Sequence, residues 1–208
     1  MHKHLPNFLT LLNLTSGCVG SVWALQGDLT QAAWCIWLGA LLDFLDGLAA
    51  RLLQAYSPLG QQLDSLADLV TFGLLPASIM YVLISQQTAS AYLPCVALLM
   101  PSFSALRLAQ FNADDRQQAV FIGLPTPAHG LFISTLPMSI SANQYPWLTA
   151  WLAAPYVLVT LALLTSGMLI ANVKLMAFKL TTYAWYPFRF NFGFLCRSVW
   201  LTSLLRVE

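Results

Sequence analysis

Six apolar runs, each about as long as a bilayer is thick, constrain this chain more than any other feature. They lie at roughly 8–26, 31–51, 64–85, 91–111, 127–143 and 147–170. About 20 apolar residues let a helix cross the ~30 Å hydrocarbon layer. Inside lipid, backbone polar groups must be satisfied within the segment, so such runs are read as helices. The fifth run is short and holds Pro137, a break that neighbouring helices can accommodate. Composition agrees: 58% of the 208 residues are hydrophobic and 8% charged, where soluble domains carry about 25% charged residues, and mean hydropathy is +0.69. The fold class predicted is all-α, a polytopic membrane protein with six core transmembrane helices. A seventh segment near 188–205, interrupted by Arg189, Asn191 and Arg197, reads as an irregular last span, an interfacial helix or a remnant of one.

No Gly-, Ser- or charge-rich linker divides the chain, which predicts one transmembrane domain over 1–180 and a membrane-associated tail over 181–208. The start MHKHLPNFLTLLNL has the basic end and apolar run of a signal peptide. No small-x-small site follows near Gly27 and Asp28, so it reads as a retained first span. Cys18, Cys35, Cys95 and Cys196 are scattered through apolar sequence without a C-x-x-C pair and read as buried apolar residues rather than disulfides or metal ligands. A net charge of +1 with no basic stripe excludes a nucleic-acid footprint.

Basic residues orient the spans. Lys3, Arg51, Arg107, Arg116, Lys174, Lys179 and Arg189 fall at one set of ends, while the loops near 27–30, 86–90 and 144–146 contain no Lys or Arg. The positive-inside bias puts the N-terminus and the basic ends in the cytoplasm. The expected location is the cell's inner membrane, crossed several times. Trp23, Trp34, Tyr92, Tyr145, Trp147 and Trp151 lie near span ends, as an interfacial belt would.

Half of the eight acidic residues fall in one stretch, DFLDGLAARLLQAYSPLGQQLDSLAD, residues 43–68. Asp43 and Asp46 end the second run; Asp64 and Asp68 begin the third. Spacings of three and four put each pair on one helical face. The connection is short, with Ser57, Pro58 and Gly60 as turn residues, so the helices are expected to be antiparallel neighbours with both pairs at one depth. Gly39, Asp43, Asp46, Gly47 and Ala50 share a face of acids and small residues, which lets another backbone or a bulky ligand approach. Gly60, one turn before Asp64, is expected to clear space at the site. Four carboxylates aimed at one point fit two divalent cations, Mg²⁺ or Mn²⁺, which favour carboxylate and phosphate oxygens. Arg51 is placed to grip an anionic group beside them. The residues alone leave a cation transporter, structural pairing with arginines and a misread soluble loop open.

The spacing Asp43-x2-Asp46-Gly47-x2-Ala50-Arg51-x8-Gly60-x3-Asp64-x3-Asp68 matches all eight fixed positions of the CDP-alcohol phosphotransferase signature. The chain resembles that family. The resemblance implies integral membrane enzymes with six core helices, commonly homodimers, that move a phosphatidyl-type group from a CDP-linked lipid to an alcohol and release CMP. By matching positions, Asp43, Asp46 and Asp64 would ligate metal, and Asp68 would ligate the second metal and act as base. Gly47, Ala50 and Arg51 would lie against the CDP moiety. LPNFLTLLNLTSGCVG near the start, ALRLAQFN at 105–112, FIGLPTPAHG at 121–130 and GMLIANVK at 167–174 resemble bacterial and archaeal phosphatidylserine synthases. The implied substrates are CDP-diacylglycerol and L-serine in a lipid bilayer. Gln110 departs from the pattern, where a basic residue is expected. The alternatives are the same transfer to glycerol 3-phosphate or inositol phosphate, and a cation transporter.

Outside the central stretch, Arg107 is expected to hold an anionic group of the acceptor or the lipid phosphate, since a charge inside a span is costly unless it binds something. Asn13 is a candidate nucleotide contact or an interhelical hydrogen-bonding group. Asn7 and Thr10 read as a helix cap. Asn172 and Lys174 read as cytoplasmic flanking residues, His2, Lys3 and His4 as a solvated end, His129 as interfacial, Asp114, Asp115 and Arg116 as a solvated turn, and Pro125 and Pro127 as a rigid lead-in to span five.

Overall fold

A computed structural model describes residues 4–113, 123–142 and 146–171. They fall in the first of two compact units, Met1–Leu175 and Met176–Glu208. The expectations for His2, Lys3, Asp114, Asp115, Arg116, Tyr145, Asn172, Lys174 and the tail 181–208 with its 188–205 segment lie outside the described residues.

The described residues are mostly helical, with no strand among them. The order is α1 (Leu5–Gln26), α2 (Leu29–Leu52), α3 (Pro58–Asp68), a π-helical turn (Leu69–Leu74), α4 (Leu75–Ser85), a 3-10 segment (Leu93–Leu98), α5 (Leu99–Ala113), α6 (Thr126–Ala142), α7 (Pro146–Leu152) and α8 (Pro155–Ile170). Four continuous helical stretches are long and apolar enough to cross a membrane: Leu5–Gln26, Leu29–Leu52, Pro58–Ser85 and Leu93–Ala113. α6 and α8, at 17 and 16 residues, are shorter and occupy the positions of the fifth and sixth expected spans.

Local sequence sets the boundaries. α1 stops at Gly27, whose φ of +94° takes the left-handed conformation, and the Asp28 N–H bonds back to the Trp23 carbonyl at 2.9 Å. Glycine adopts that backbone without a Cβ penalty. Ser57, Pro58 and Gly60 are not a free turn. Ser57 is the N-cap of α3, its hydroxyl accepting the Gly60 N–H at 3.0 Å, and Pro58 opens the first turn. The third span therefore starts at Pro58, six residues before the apolar run does. The expected single span 147–170 is two helices, because Pro155 cannot continue α7.

The third span is the central post. In its most apolar window 72% of residues are buried, against 33–39% for the other three spans. Phe72, Leu75, Ile79, Met80 and Ile84 are completely buried along it, and α1, α2, α5, α6 and α8 pack around it. Lipid is as apolar as leucine, so helices associate by close packing of small residues and by polar contacts rather than by the hydrophobic effect. The glycines follow that rule. A Cβ at Gly17 would come within 2.5 Å of Thr71 Oγ1, one at Gly20 within 2.7 Å of Cys35, and one at Gly130 within 2.9 Å of Phe72. The Thr71 hydroxyl donates to the Asn13 carbonyl at 2.9 Å, and that of Ser16 to the Cys35 carbonyl at 2.9 Å.

Candidate active site

α2 carries Asp43 and Asp46 and α3 carries Asp64 and Asp68, in the half of the fold where α1 packs on both helices. One carboxylate oxygen from each of Asp43, Asp64 and Asp68 lies within 4.8 Å of the other two. Asp46 stands beside this trio, turned toward α1. The Thr10 hydroxyl lies 2.7 Å from Asp46 Oδ2 and 3.0 Å from the Pro6 carbonyl. It has one proton for two acceptors, and the shorter contact is to the charged group. Asp46 and Asp68 are buried, at 6% and 9% exposed, while Asp43 and Asp64 are half-buried. Carboxylates this close, and away from bulk water, repel one another strongly. Asp64 Oδ1 and Asp68 Oδ1 are buried with no hydrogen-bond partner among the described residues. Oxygen donors left bare and gathered around one point fit a hard divalent cation.

The remaining expected site residues separate into three groups. Gly47, Ala50 and Arg51 line the rim. No described atom lies within 4 Å of a Cβ at Gly47, Ala50 is half-buried and Arg51 is exposed near the end of α2. Bare backbone facing open space, next to Asp46 and one turn from an exposed guanidinium, leaves room for a bulky group. Gly39 and Gly60 serve packing instead. Gly39 backs directly onto the Thr71 methyl and Asn13 Oδ1. A Cβ at Gly60 would stand 3.0 Å from both Asn7 Oδ1 and Ser57 Oγ, so Gly60 makes room for α1 rather than for the site. Asn13 is fully buried at the junction of α1, α2 and the π-turn, and its amide has no partner among the described residues. It lies beside Gly39, one turn below Asp43. Arg107 is 7% exposed and does not snorkel. Its guanidinium donates to Thr126 Oγ1 at 2.5 Å and lies within electrostatic reach of Asp68.

Several residues of the site escaped the sequence reading. Asn7 and Thr10 are not caps, since α1 begins at Leu5 after His4 with no side-chain cap, and Thr10, inside the helix, orients Asp46. Thr126, between the two prolines of the lead-in to α6, seats Arg107. His129, read above as interfacial, is completely buried within the protein, with Nδ1 3.4 Å from the Phe72 carbonyl. Four residues on from Phe72 stands Pro76, which has no N–H to offer that carbonyl, and the helix widens into the π-turn just before it. Ser65 accepts a 2.9 Å hydrogen bond from Asn112, which ties α3 to the end of α5.

Comparison with known proteins agrees with this geometry. Residues 3–185 match the CDP-alcohol phosphatidyltransferase family. A CDP-diacylglycerol–serine O-phosphatidyltransferase of Mycobacterium tuberculosis (strain ATCC 25618 / H37Rv) is 35% identical over 171 residues, which cover 78% of this chain and 59% of that protein. Proteins of the same name from Bacillus subtilis (strain 168) and Saccharomyces cerevisiae (strain ATCC 204508 / S288c) are also similar. The first is 36% identical over 138 residues, 64% of this chain and 75% of that protein. The second is 37% identical over 140 residues, 60% and 50%. The chain thus spans well under two thirds of the mycobacterial relative's length. The match over nearly all of this chain, with the aspartates converging as the signature requires, shows that it belongs to the CDP-alcohol phosphatidyltransferase family.

Proposed function

We propose that the chain is a CDP-diacylglycerol–serine O-phosphatidyltransferase, which transfers a phosphatidyl group to the hydroxyl of L-serine and releases CMP. The convergence of Asp43, Asp64 and Asp68 within 4.8 Å, beside the bare Gly47 backbone and Arg51, carries the reaction class. The serine blocks of the sequence and the names of the similar proteins support the acceptor. The domain is taken as 1–180 with a tail over 181–208, in an inner membrane, the site facing the cytoplasm, and as a homodimer. The basic-residue bias supports the orientation and the family resemblance supports the dimer.

Asp43, Asp46, Asp64 and Asp68 would hold two divalent ions, Mg²⁺ or Mn²⁺. When bound, such ions polarise the attacked phosphoryl group and neutralise the charge leaving with CMP. The chain's own residues do the rest. Thr10 holds Asp46 in its rotamer. Gly47 and Ala50 let the nucleotide lie against α2, and Arg51 faces its phosphates. Asp68, the most deeply placed carboxylate with a bare oxygen, accepts the proton of the serine hydroxyl. That oxygen attacks phosphorus, the bond to CMP breaks, and the proton stays on Asp68 until it returns to solvent.

The test supplies purified protein with CDP-diacylglycerol and Mn²⁺ and measures CMP release with L-serine, glycerol 3-phosphate and inositol phosphate separately. Release with serine is expected. Release only with a phosphorylated acceptor overturns the serine assignment, and ion flux without CMP release favours a transporter. EDTA should abolish turnover. Asp68→Asn should do so too while nucleotide binding persists, and an active Asp68→Asn variant removes the base assignment.

A further inference from the structure

Beyond the aspartates, toward the turn that joins α2 to α3, the outside of the protein turns more apolar instead of less. Leu52 ends α2, Tyr56 lies in the turn and Leu59 stands in the first turn of α3. They are 75%, 73% and 70% exposed, more than Leu38, Leu41, Leu45 and Leu48 lower on α2. α1 adds Leu5 and Phe8, also exposed, at the end where Asn7 lies against Gly60. The five belong to three helices and the connection between two of them, so they make a rim and not a single face. At 1.5 Å per residue, Leu52 stands ~14 Å beyond Asp43, and Leu59 ~8 Å beyond Asp64.

Helix length, charge and shape say what meets this rim. α2, with 24 residues, is ~36 Å long, so it outruns the ~30 Å hydrocarbon layer and reaches into the headgroup regions that bring a bilayer to ~40–45 Å. Large apolar side chains gathered on a surface mark an interaction site. No Asp or Glu occurs between Gly47 and Leu63, so nothing there repels anionic headgroups. A second copy of the chain would cover one face, whereas a headgroup layer meets every side of a rim at one depth. Tyrosine suits that layer, its ring apolar and its hydroxyl wet. We propose that Leu5, Phe8, Leu52, Tyr56 and Leu59 form a collar seated in the headgroup layer, its side chains reaching down to the boundary with the acyl chains. The partner is a phospholipid surface that includes anionic lipids, and the collar sets the depth of the aspartates, which lie beneath it. Gln54, exposed at the left-handed tip of the turn with φ +48°, stays on the water side. The collar rests on the membrane-spanning fold and is independent of the alcohol used.

The test attaches a nitroxide to the full chain, with its own cysteines replaced, through Leu52→Cys, Tyr56→Cys and Leu59→Cys, and through Gln54→Cys as the water-side reference. Each labelled protein is reconstituted in vesicles of phosphatidylcholine and phosphatidylglycerol. Power saturation of the electron paramagnetic resonance signal then compares collisions with oxygen, which concentrates among acyl chains, and with a neutral water-soluble nickel chelate. The oxygen-to-nickel ratio at each of the three collar positions should exceed that at Gln54 about threefold or more. A ratio no higher than at Gln54 at two of the three puts the rim in water and overturns the collar. Low access to both reagents at two of the three puts protein against the rim and also overturns it; spin–spin broadening that unlabelled chain dilutes away would identify that protein as a second copy. Leu52→Glu combined with Leu59→Glu should lower the ratio at the Tyr56→Cys label about threefold or more. An unchanged ratio in that variant overturns the collar as what seats the turn.

Discussion

Gly39 and Gly47 stand two turns apart on one face of α2 and serve opposite purposes. A side chain at Gly39 collides with Thr71 and Asn13, while one at Gly47 meets nothing. Gly39→Val should therefore lower the melting temperature of the detergent-solubilised protein, with an overpacking cost of about 1–3 kcal/mol. Gly47→Val should leave melting unchanged and raise KM for CDP-diacylglycerol about tenfold, a loss of ~1.4 kcal/mol. The two glycines are indistinguishable in sequence, because helical periodicity gives the face but not what lies opposite it. Thr10 was hidden for a similar reason. A threonine in a membrane helix bonds its own i−4 carbonyl by default, as Thr10 does to Pro6, and only the packing of α1 on α2 brings Asp46 within 2.7 Å. Removing a hydrogen bond to a charged group costs about 1.5–3 kcal/mol. Thr10→Val should weaken Mn²⁺ binding, read by electron paramagnetic resonance, about tenfold or more, and Thr10→Ser should retain it. The aspartates were legible because i+3 and i+4 spacing alone puts each pair on one face. That only three of the four would share a point was not legible, since it depends on Thr10.

The π-turn is the element on which both halves of the site depend. It follows Asp68 directly and carries Thr71 toward α1 and α2, Phe72 toward His129 and Gly73 toward Ser104. An α-helix through the same residues would rotate everything beyond the turn relative to the aspartates. Pro76 helps hold the wider turn by withholding a donor. Pro76→Ala supplies that donor and a better helix former. It should hold or raise the melting temperature while cutting turnover at least about tenfold by disturbing the register that the turn sets. Unchanged kcat with L-serine would show that the turn does not need the proline. Hydropathy reads a span as a uniform apolar cylinder, so neither this turn nor the break before Pro155 showed in it, although both prolines were in plain view. The start of the third span was misplaced for the converse reason. Its first turns are polar, and only the capping chemistry of Ser57 and Pro58 reveals them as helix.

At the scale of the molecule, a 28-residue third span is ~42 Å long at 1.5 Å per residue, more than a ~30 Å hydrocarbon layer needs. An excess lying at the Pro58 end would bring Asp64 and Asp68 near the headgroup layer, within reach of water-soluble groups. In a cysteine-replaced background, a cysteine at Gln54 should react with a membrane-impermeant maleimide from the cytoplasmic side, and one at Gln87 from the opposite side; the reverse pattern would invert the orientation. The helical class was legible from composition and run length, and four of the six expected spans are met by helices long and apolar enough to cross a membrane. The centrality of the third span was not, because the hydropathy of a run does not say what packs against it, and it is the small residues facing Thr71, Phe72 and Gly73 that show it. The lead-in to α6 has its own consequence. Leu124 N–H bonds to the Met168 carbonyl at 2.9 Å, and Gly123, at φ +82°, lies so close against Leu169 that a Cβ would stand 2.5 Å from its carbonyl oxygen. Thr126, the seat of Arg107, is thus pinned by residues translated some forty positions later. While the chain is being synthesised, the aspartates can gather as soon as the third span is in place, but the arginine has to wait for the last described helix. A ribosome stalled before α8 would leave a nascent chain whose aspartates can already gather while Arg107 still lacks its seat.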